Sequence, residues 1–203
     1  MKLFVTGGAG FIGSNFIHYI LREHPEDTLI NFDKLTYAGN LANLKDVEKD
    51  PRYSFVQGDI ADMAAVTAAL PENCDAIINF AAESHVDRSI LDPEAFLRTD
   101  IFGTRVLLEV AKEKKIGRYV QISTDEVYGD IPAGKFSKET DQLHASSPYS
   151  ASKAAGDLMV QAYVRTFGVP GIITRCTNNY GPNQFPEKFI PLAVTNLIEG
   201  APV

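Results

Sequence analysis

The chain has 203 residues, 45% of them hydrophobic and 22% charged, with a formal net charge of −7. That length can bury a core without disulfides or metals, and an acidic chain with no basic stripe argues against nucleic acid as a partner. Cys74 and Cys176 lie too far apart for a CxxC pair. No signal-peptide pattern or apolar run of transmembrane length is visible, so the expectation is a cytoplasmic protein with no membrane partner.

The first predicted strand, Lys2–Thr6, runs into Thr6-Gly-Gly-Ala-Gly-Phe-Ile-Gly13, which opens a helix over Phe11–Glu23. Gly7, Gly10 and Gly13 have the GxxGxxG spacing of a dinucleotide-binding turn. Such glycines let backbone amides and a helix N-terminus approach a pyrophosphate, with Phe11 and Ile12 beside it. The same glycines would serve an ordinary strand-to-helix turn, so the context decides. A second strand, Thr28–Phe32, delivers Asp33 about twenty residues further on, where a carboxylate binds a ribose hydroxyl and repels a 2′-phosphate. NAD is therefore expected over NADP, although Lys34 is a cation that could serve a 2′-phosphate. The long loop Asp33–Asn43, with Leu35 and Thr36 at its start, reads as functional.

A third strand, Tyr53–Gln57, leads to Asp59 and Ile60, which could hold an adenine edge; for Asp59 a helix N-cap is an equal reading. Then follow a helix over Met63–Leu70 and a strand over Ala76–Phe80. In the next segment, Ala81 and Ala82 can line a nicotinamide, and Ser84 and His85 can touch a sugar. A helix over Pro93–Lys115 and a strand over Arg118–Ser123 come next. After the loop Gly129–Ser147, a helix over Ser150–Phe167 carries Tyr149 at its start and Lys153. A strand over Gly171–Arg175 and a helix over Lys188–Glu199 end the series. Near-continuous apolar strands alternating with helices predict an α/β, Rossmann-type, doubly wound parallel sheet. The expected division is a dinucleotide-binding domain over 1–185 and the start of a smaller, truncated substrate domain over 186–203.

Tyr149 and Lys153 are four residues apart and share a helix face. A nearby ammonium favours the phenolate and is expected to lower the tyrosine pKa, so that Tyr149 can take a proton from a sugar hydroxyl. His18, His24 and His144 show no ligand spacing, and no metal is expected.

On these residues, together with Asp33–Asn40, Ala81–Ser89, Ser123-Thr-Asp-Glu-Val-Tyr-Gly129 and Asn178-Asn-Tyr-Gly-Pro182, the chain resembles the extended short-chain dehydrogenase/reductases that modify nucleotide sugars. Within them it is similar to the 4,6-dehydratases, which are hydro-lyases. Thr124-Asp125-Glu126 is the selecting segment, because related epimerases lack the acidic pair. The resemblance implies dehydration of dTDP-glucose to a 4-keto-6-deoxy sugar, as in rhamnose biosynthesis, with UDP-glucose as the alternative. It assigns Glu126 as the base at C5, Asp125 as the acid at the C6 hydroxyl, and Thr124 to the C4 oxygen beside Tyr149. It adds Thr99 and Asn179 as cofactor contacts, and Asn178, Lys188 and Phe189 as substrate contacts. It also implies a homodimer through the Pro93–Lys115 and Ser150–Phe167 helices. From a different class, a non-catalytic NAD-binding module would need none of the five catalytic residues. Adjacent strand residues point to opposite faces, so for both acids to reach one sugar the backbone must leave strand geometry near Thr124.

Overall fold

The computed structural model describes residues 1–203. Its six strands are β1 (Lys2–Thr6), β2 (Thr28–Asp33), β3 (Tyr53–Gln57), β4 (Ala76–Asn79), β5 (Arg118–Thr124) and β6 (Gly171–Cys176). All pair in parallel, in the order β3-β2-β1-β4-β5-β6. The helices are α1 (Phe11–Glu23), α2 (Met63–Ala69), α3 (Val86–Leu91), α4 (Pro93–Phe96), α5 (Thr104–Glu113), α6 (Pro148–Phe167) and α7 (Phe189–Glu199). The doubly wound sheet expected from the alternating pattern is what forms.

The apolar side chains of each strand divide between two layers. Phe4, Phe32, Ile77 and Tyr119 join α5 residues such as Leu107 and Leu108 on one face. Leu3, Val5, Leu29 and Ile78 meet Ile17, Ile20 and Leu21 of α1 on the other. A sheet covered on both faces needs this two-sided apolar pattern.

Two features of the helices differ from the sequence reading. The stretch expected as one helix over Pro93–Lys115 contains a π-helical turn, Leu97–Gly103, between α4 and α5. The short α3 falls in a stretch to which the sequence pattern assigns no helix or strand. The helix carrying Tyr149 is firmly started: Ser147 and Ser150 form a reciprocal capping box, Pro148 takes the first turn, and Gly168 ends the helix at φ 70°. The capping box and the glycine satisfy backbone groups that a helix end leaves unpaired, and the proline has no N–H to leave unpaired.

A buried polar chain crosses the middle of the sheet. Thr6 Oγ1 donates to Asn79 Oδ1 at 2.6 Å, Asn79 Nδ2 to Gln121 Oε1 at 2.9 Å, and the Tyr119 hydroxyl to the same Gln121 oxygen at 2.6 Å. Satisfied networks of this kind hold neighbouring strands in one register, since any slip would strand a buried polar group. No helix is long and apolar enough to cross a membrane.

Candidate active site

In this strand order β1 is flanked by β2 on one side and β4 on the other, and the connections reverse direction there. Open α/β sheets bind ligands in the crevice this creates beyond the carboxyl ends of the strands. A cleft of about 580 Å³ opens at that point. Every strand contributes the residues that follow it, which is why motifs scattered through the sequence meet.

The Gly-rich turn forms the floor of one half. Gly7 has φ +69°, and a Cβ there would stand 2.5 Å from the Ala81 nitrogen; one on Gly13 would overlap the Gly7 carbonyl. Side chains are excluded because the backbone itself comes close, which is the condition for amides to face a pyrophosphate. Gly10, Phe11 and Ile12 line the same half. Asp33 is buried at the end of β2. Its Oδ2 accepts from the Ala9 amide at 2.9 Å and its Oδ1 from the Leu35 amide at 2.8 Å. Burial raises its pKa, with those two amides opposing the rise.

Lys34, Thr36, Asp59 and Ile60 also line this half. Lys34 Nζ lies 2.9 Å from Asp59 Oδ2, so the cation that could serve a 2′-phosphate is already paired. Burial pushes Asp59 up, but the Ala61 amide and Lys34 outweigh it and hold the carboxyl below its ordinary range. The N-cap of α2 is Asp62, whose side chain accepts from Ala64 and Ala65, so Asp59 is not that cap.

The other half gathers Ala81, Ala82, Ser84, Thr99, Thr124, Glu126, Tyr149, Lys153, Asn178, Asn179, Lys188 and Phe189 along the wall. β5 ends at Thr124 and the chain turns at once into a 3₁₀ turn, Asp125–Tyr128, capped by the Thr124 hydroxyl, which accepts from the Glu126 amide at 3.2 Å. The backbone thus leaves strand geometry where two neighbouring acids need it to. Asp125 Oδ1 lies 3.3 Å from Thr124 Oγ1, but Asp125 is not part of the lining; neither are Leu35 and His85. Leu35 sits in the left-handed region at φ 58°. His85 stands 3.9 Å from Glu187, at the start of α3.

Lys153 is 4% exposed, and its Nζ donates to the Ile122 carbonyl at 2.8 Å. The lowered tyrosine expected from the Tyr149–Lys153 spacing is not found. Burial drives the Tyr149 phenol well above its ordinary range, and the charges of Glu126 and Asp100 add to it, with Thr124 opposing. The lysine ammonium is tied to the Ile122 carbonyl, and burial dominates the shift. Glu126 is also raised, first by burial and then by Asp125, with Lys188 opposing.

The cleft includes residues the sequence reading passed over: Glu83, Cys176, Thr177, Gln184, Phe185 and Glu187. Glu187 is a junction. It accepts from the Tyr37 hydroxyl at 3.0 Å and pairs with Arg88 at 3.5 Å, while Arg88 lies 3.8 Å from the centre of the Tyr37 ring. Glu83 belongs to the quoted Ala81–Ser89 stretch and could have been singled out there; Glu187 had no spacing signal. No cluster of three metal-ligating side chains forms.

Comparison with known proteins places this geometry. The model of the family described as GDP-mannose 4,6 dehydratase matches residues 4–202. The chain is 48% identical to a dTDP-glucose 4,6-dehydratase of Salmonella typhimurium over 100% of its own length and 61% of that protein. It is 53% identical to the DesIV dTDP-glucose 4,6-dehydratase of Streptomyces venezuelae, solved with NAD bound, at a TM-score of 0.94 over 98% of this chain and 63% of that one. A UDP-glucose 4-epimerase of Thermus thermophilus, also solved with NAD, aligns at a TM-score of 0.89 with 31% identity, over 100% of this chain and 64% of the other. The chain thus spans about 60% of the length of these relatives.

Proposed function

The chain belongs to the GDP-mannose 4,6 dehydratase family, and from that membership we propose that it carries the NAD-binding and catalytic part of a dTDP-glucose 4,6-dehydratase. The observation that carries the reading is one cleft holding Gly7–Gly13 and Asp33 at one end and Thr124, Glu126, Tyr149 and Lys153 at the other. The higher identity to the dehydratases than to the epimerase at similar fold agreement supports it. So does the acidic pair after β5.

The site fits NAD on its own geometry. Gly7 and Gly13 leave no room for side chains where a diphosphate would lie, and the buried Asp33 with a paired Lys34 favours an unphosphorylated ribose. Bound there, NAD supplies a hydride acceptor for C4, the donor that returns that hydride to C6, and a positive ring that favours the Tyr149 phenolate.

The protein's own groups do the rest. Tyr149 takes the proton of the C4 hydroxyl, and Thr124 hydrogen-bonds the same oxygen. The Lys153 ammonium stabilises the phenolate and is held in place by the Ile122 carbonyl. Once C4 is a ketone, the C5 hydrogen is acidic and Glu126 removes it. Asp125 protonates the departing C6 hydroxyl. Asn178, Lys188 and Phe189 hold the nucleotide sugar. We assign 1–185 to the dinucleotide domain and 186–203 to the substrate side. Exposed Leu97, Phe102, Leu158 and Val164, on the π turn and α6, suit a second copy of the chain.

The test is product NMR after incubating the NAD-loaded protein with dTDP-, UDP- and GDP-glucose and no added reductant. The expected result is a 4-keto-6-deoxy product from the dTDP sugar. An unchanged dTDP sugar refutes the reading, and preferential turnover of the UDP sugar reassigns the nucleotide.

A further inference from the structure

Asp100 lies within the π-helical turn and is 2% exposed. A charge that deep persists only with partners, and Asp100 has them on two sides. Its Oδ2 accepts from Ser152 Oγ at 2.7 Å, and its Oδ1 faces the Glu83 amide at 3.3 Å. Ser152 stands between Tyr149 and Lys153 in the first turns of α6, and its Oγ is also 2.8 Å from the Tyr149 carbonyl oxygen. Gly156 lets α6 come close at the next turn, since a Cβ there would reach to 3.0 Å from the Asp100 carbonyl. Asp100 therefore ties the loop after β4 to the helix that bears Tyr149 and Lys153. A π turn inserted in a helix is itself a frequent mark of a functional position.

The charged and titratable groups that face Asp100 are Lys153 and Tyr149 from α6 and Glu83 from the loop. Burial raises the Asp100 carboxyl, Lys153, Ser152 and the Glu83 amide oppose the rise, and the balance lies at about 6. Its negative charge in turn raises Glu83 and Tyr149.

A hydroxyl has one proton to donate. With Asp100 ionised, Ser152 gives that proton to the carboxylate, the stronger acceptor. With Asp100 protonated, the carboxyl donates to Ser152 Oγ, and Ser152 turns its own proton to the Tyr149 carbonyl. The same three groups thus form two hydrogen-bond arrangements that differ by one proton.

We propose that Asp100 is a positioning residue for Tyr149 and Lys153, a buried carboxyl whose proton selects, through Ser152, between two hydrogen-bonded arrangements of the start of α6. The inference rests on reading Tyr149 and Lys153 as the catalytic pair. Its test is carboxyl-carbon NMR titration of the NAD-loaded chain. Asp100 is expected to titrate near 6. Lys153→Met should raise that value by about one unit through loss of a favourable charge, and Ser152→Ala should raise it by less. If Lys153→Met does not fold, the Ser152→Ala arm decides. Asp100→Asn, a neutral isostere that mimics the protonated form, should also remove an inflection near 6 from the pH profile of turnover. An Asp100 that titrates as an ordinary aspartate, or does not move in either variant, overturns the proposal. The titration needs no turnover, so a coupled titration without dehydration defeats only the functional reading. Dehydration with an uncoupled Asp100 defeats only this one.

Discussion

Arg175→Met should cost about 3–5 kcal/mol of stability, the usual penalty for removing one partner of a buried ion pair. Asp157, on α6, is fully buried, and the Arg175 side chain, on β6, is 10% exposed; Nε and Oδ2 are 2.9 Å apart. Methionine keeps much of the apolar stem, so the loss falls mainly on the stranded carboxylate and on the Tyr128 hydroxyl, to which Arg175 Nη1 donates at 2.7 Å, rather than on packing. At about 2–4 °C per kcal/mol for a chain of this size, melting should fall by roughly 6–20 °C. The loss should also depend on pH. Burial already raises Asp157, with Arg175 as the main opposing group, so the variant's folded state holds a proton more tightly than the unfolded chain. Stability gained by that proton is present below the unfolded pKa and is lost as pH rises through the folded one. The gap between wild type and variant should therefore widen from acidic to neutral buffer. Thermal unfolding across pH measures both effects, and the double change Arg175→Met with Asp157→Leu should recover most of the loss. A single-variant loss below about 1 kcal/mol, as for an exposed pair, that also stays flat with pH would refute the reasoning.

Tyr149→Phe removes the proposed proton acceptor at C4 and should lower kcat by about 10²–10⁴-fold with little change in KM; steady-state kinetics check it. Gly7→Ala places a Cβ 2.5 Å from the Ala81 nitrogen at φ +69°. Strain of about 1–2 kcal/mol should lower the stability of the folded chain by that amount, as measured by thermal unfolding, and an unchanged stability counts against the close approach. Lys188→Met removes the charge that opposes the rise at Glu126, so the acid limb of kcat/KM should move to higher pH. A limb indifferent to the change excludes Glu126 as the base.

The strands were legible because a strand covered on both faces must be apolar along its length. Phe4, Ile77 and Leu29 declare it wherever they fall. The Gly-rich turn and Asp33 were legible because their spacing is local. The polar chain from Thr6 through Asn79 to Gln121 was not, since its meaning lies in strand pairing that no single segment contains. The π turn was hidden because Leu97–Gly103 keeps the composition of an ordinary amphipathic helix, and the extra residue shows only in the backbone. Glu187 was invisible for the same reason as the polar chain: Tyr37 comes to it from the loop after β2, and His85 and Arg88 from the start of α3. The Tyr149–Lys153 pair shows the opposite failure. Spacing put both residues on one helix face, yet it predicted the wrong direction of shift for Tyr149, because burial and the acids Glu126 and Asp100 come from outside the motif.

The raised Glu126 suits the role proposed for it. A carboxylate of ordinary pKa is a weak base toward a C–H bond, and raising its pKa toward the working pH strengthens it while leaving a useful fraction ionised. Burial supplies part of that rise and the neighbouring Asp125 another part. Two acids side by side on a strand would point to opposite faces and could not share a substrate. The turn that begins after Thr124 puts Glu126 on the cleft wall and leaves Asp125 off the lining, within reach of the Thr124 hydroxyl.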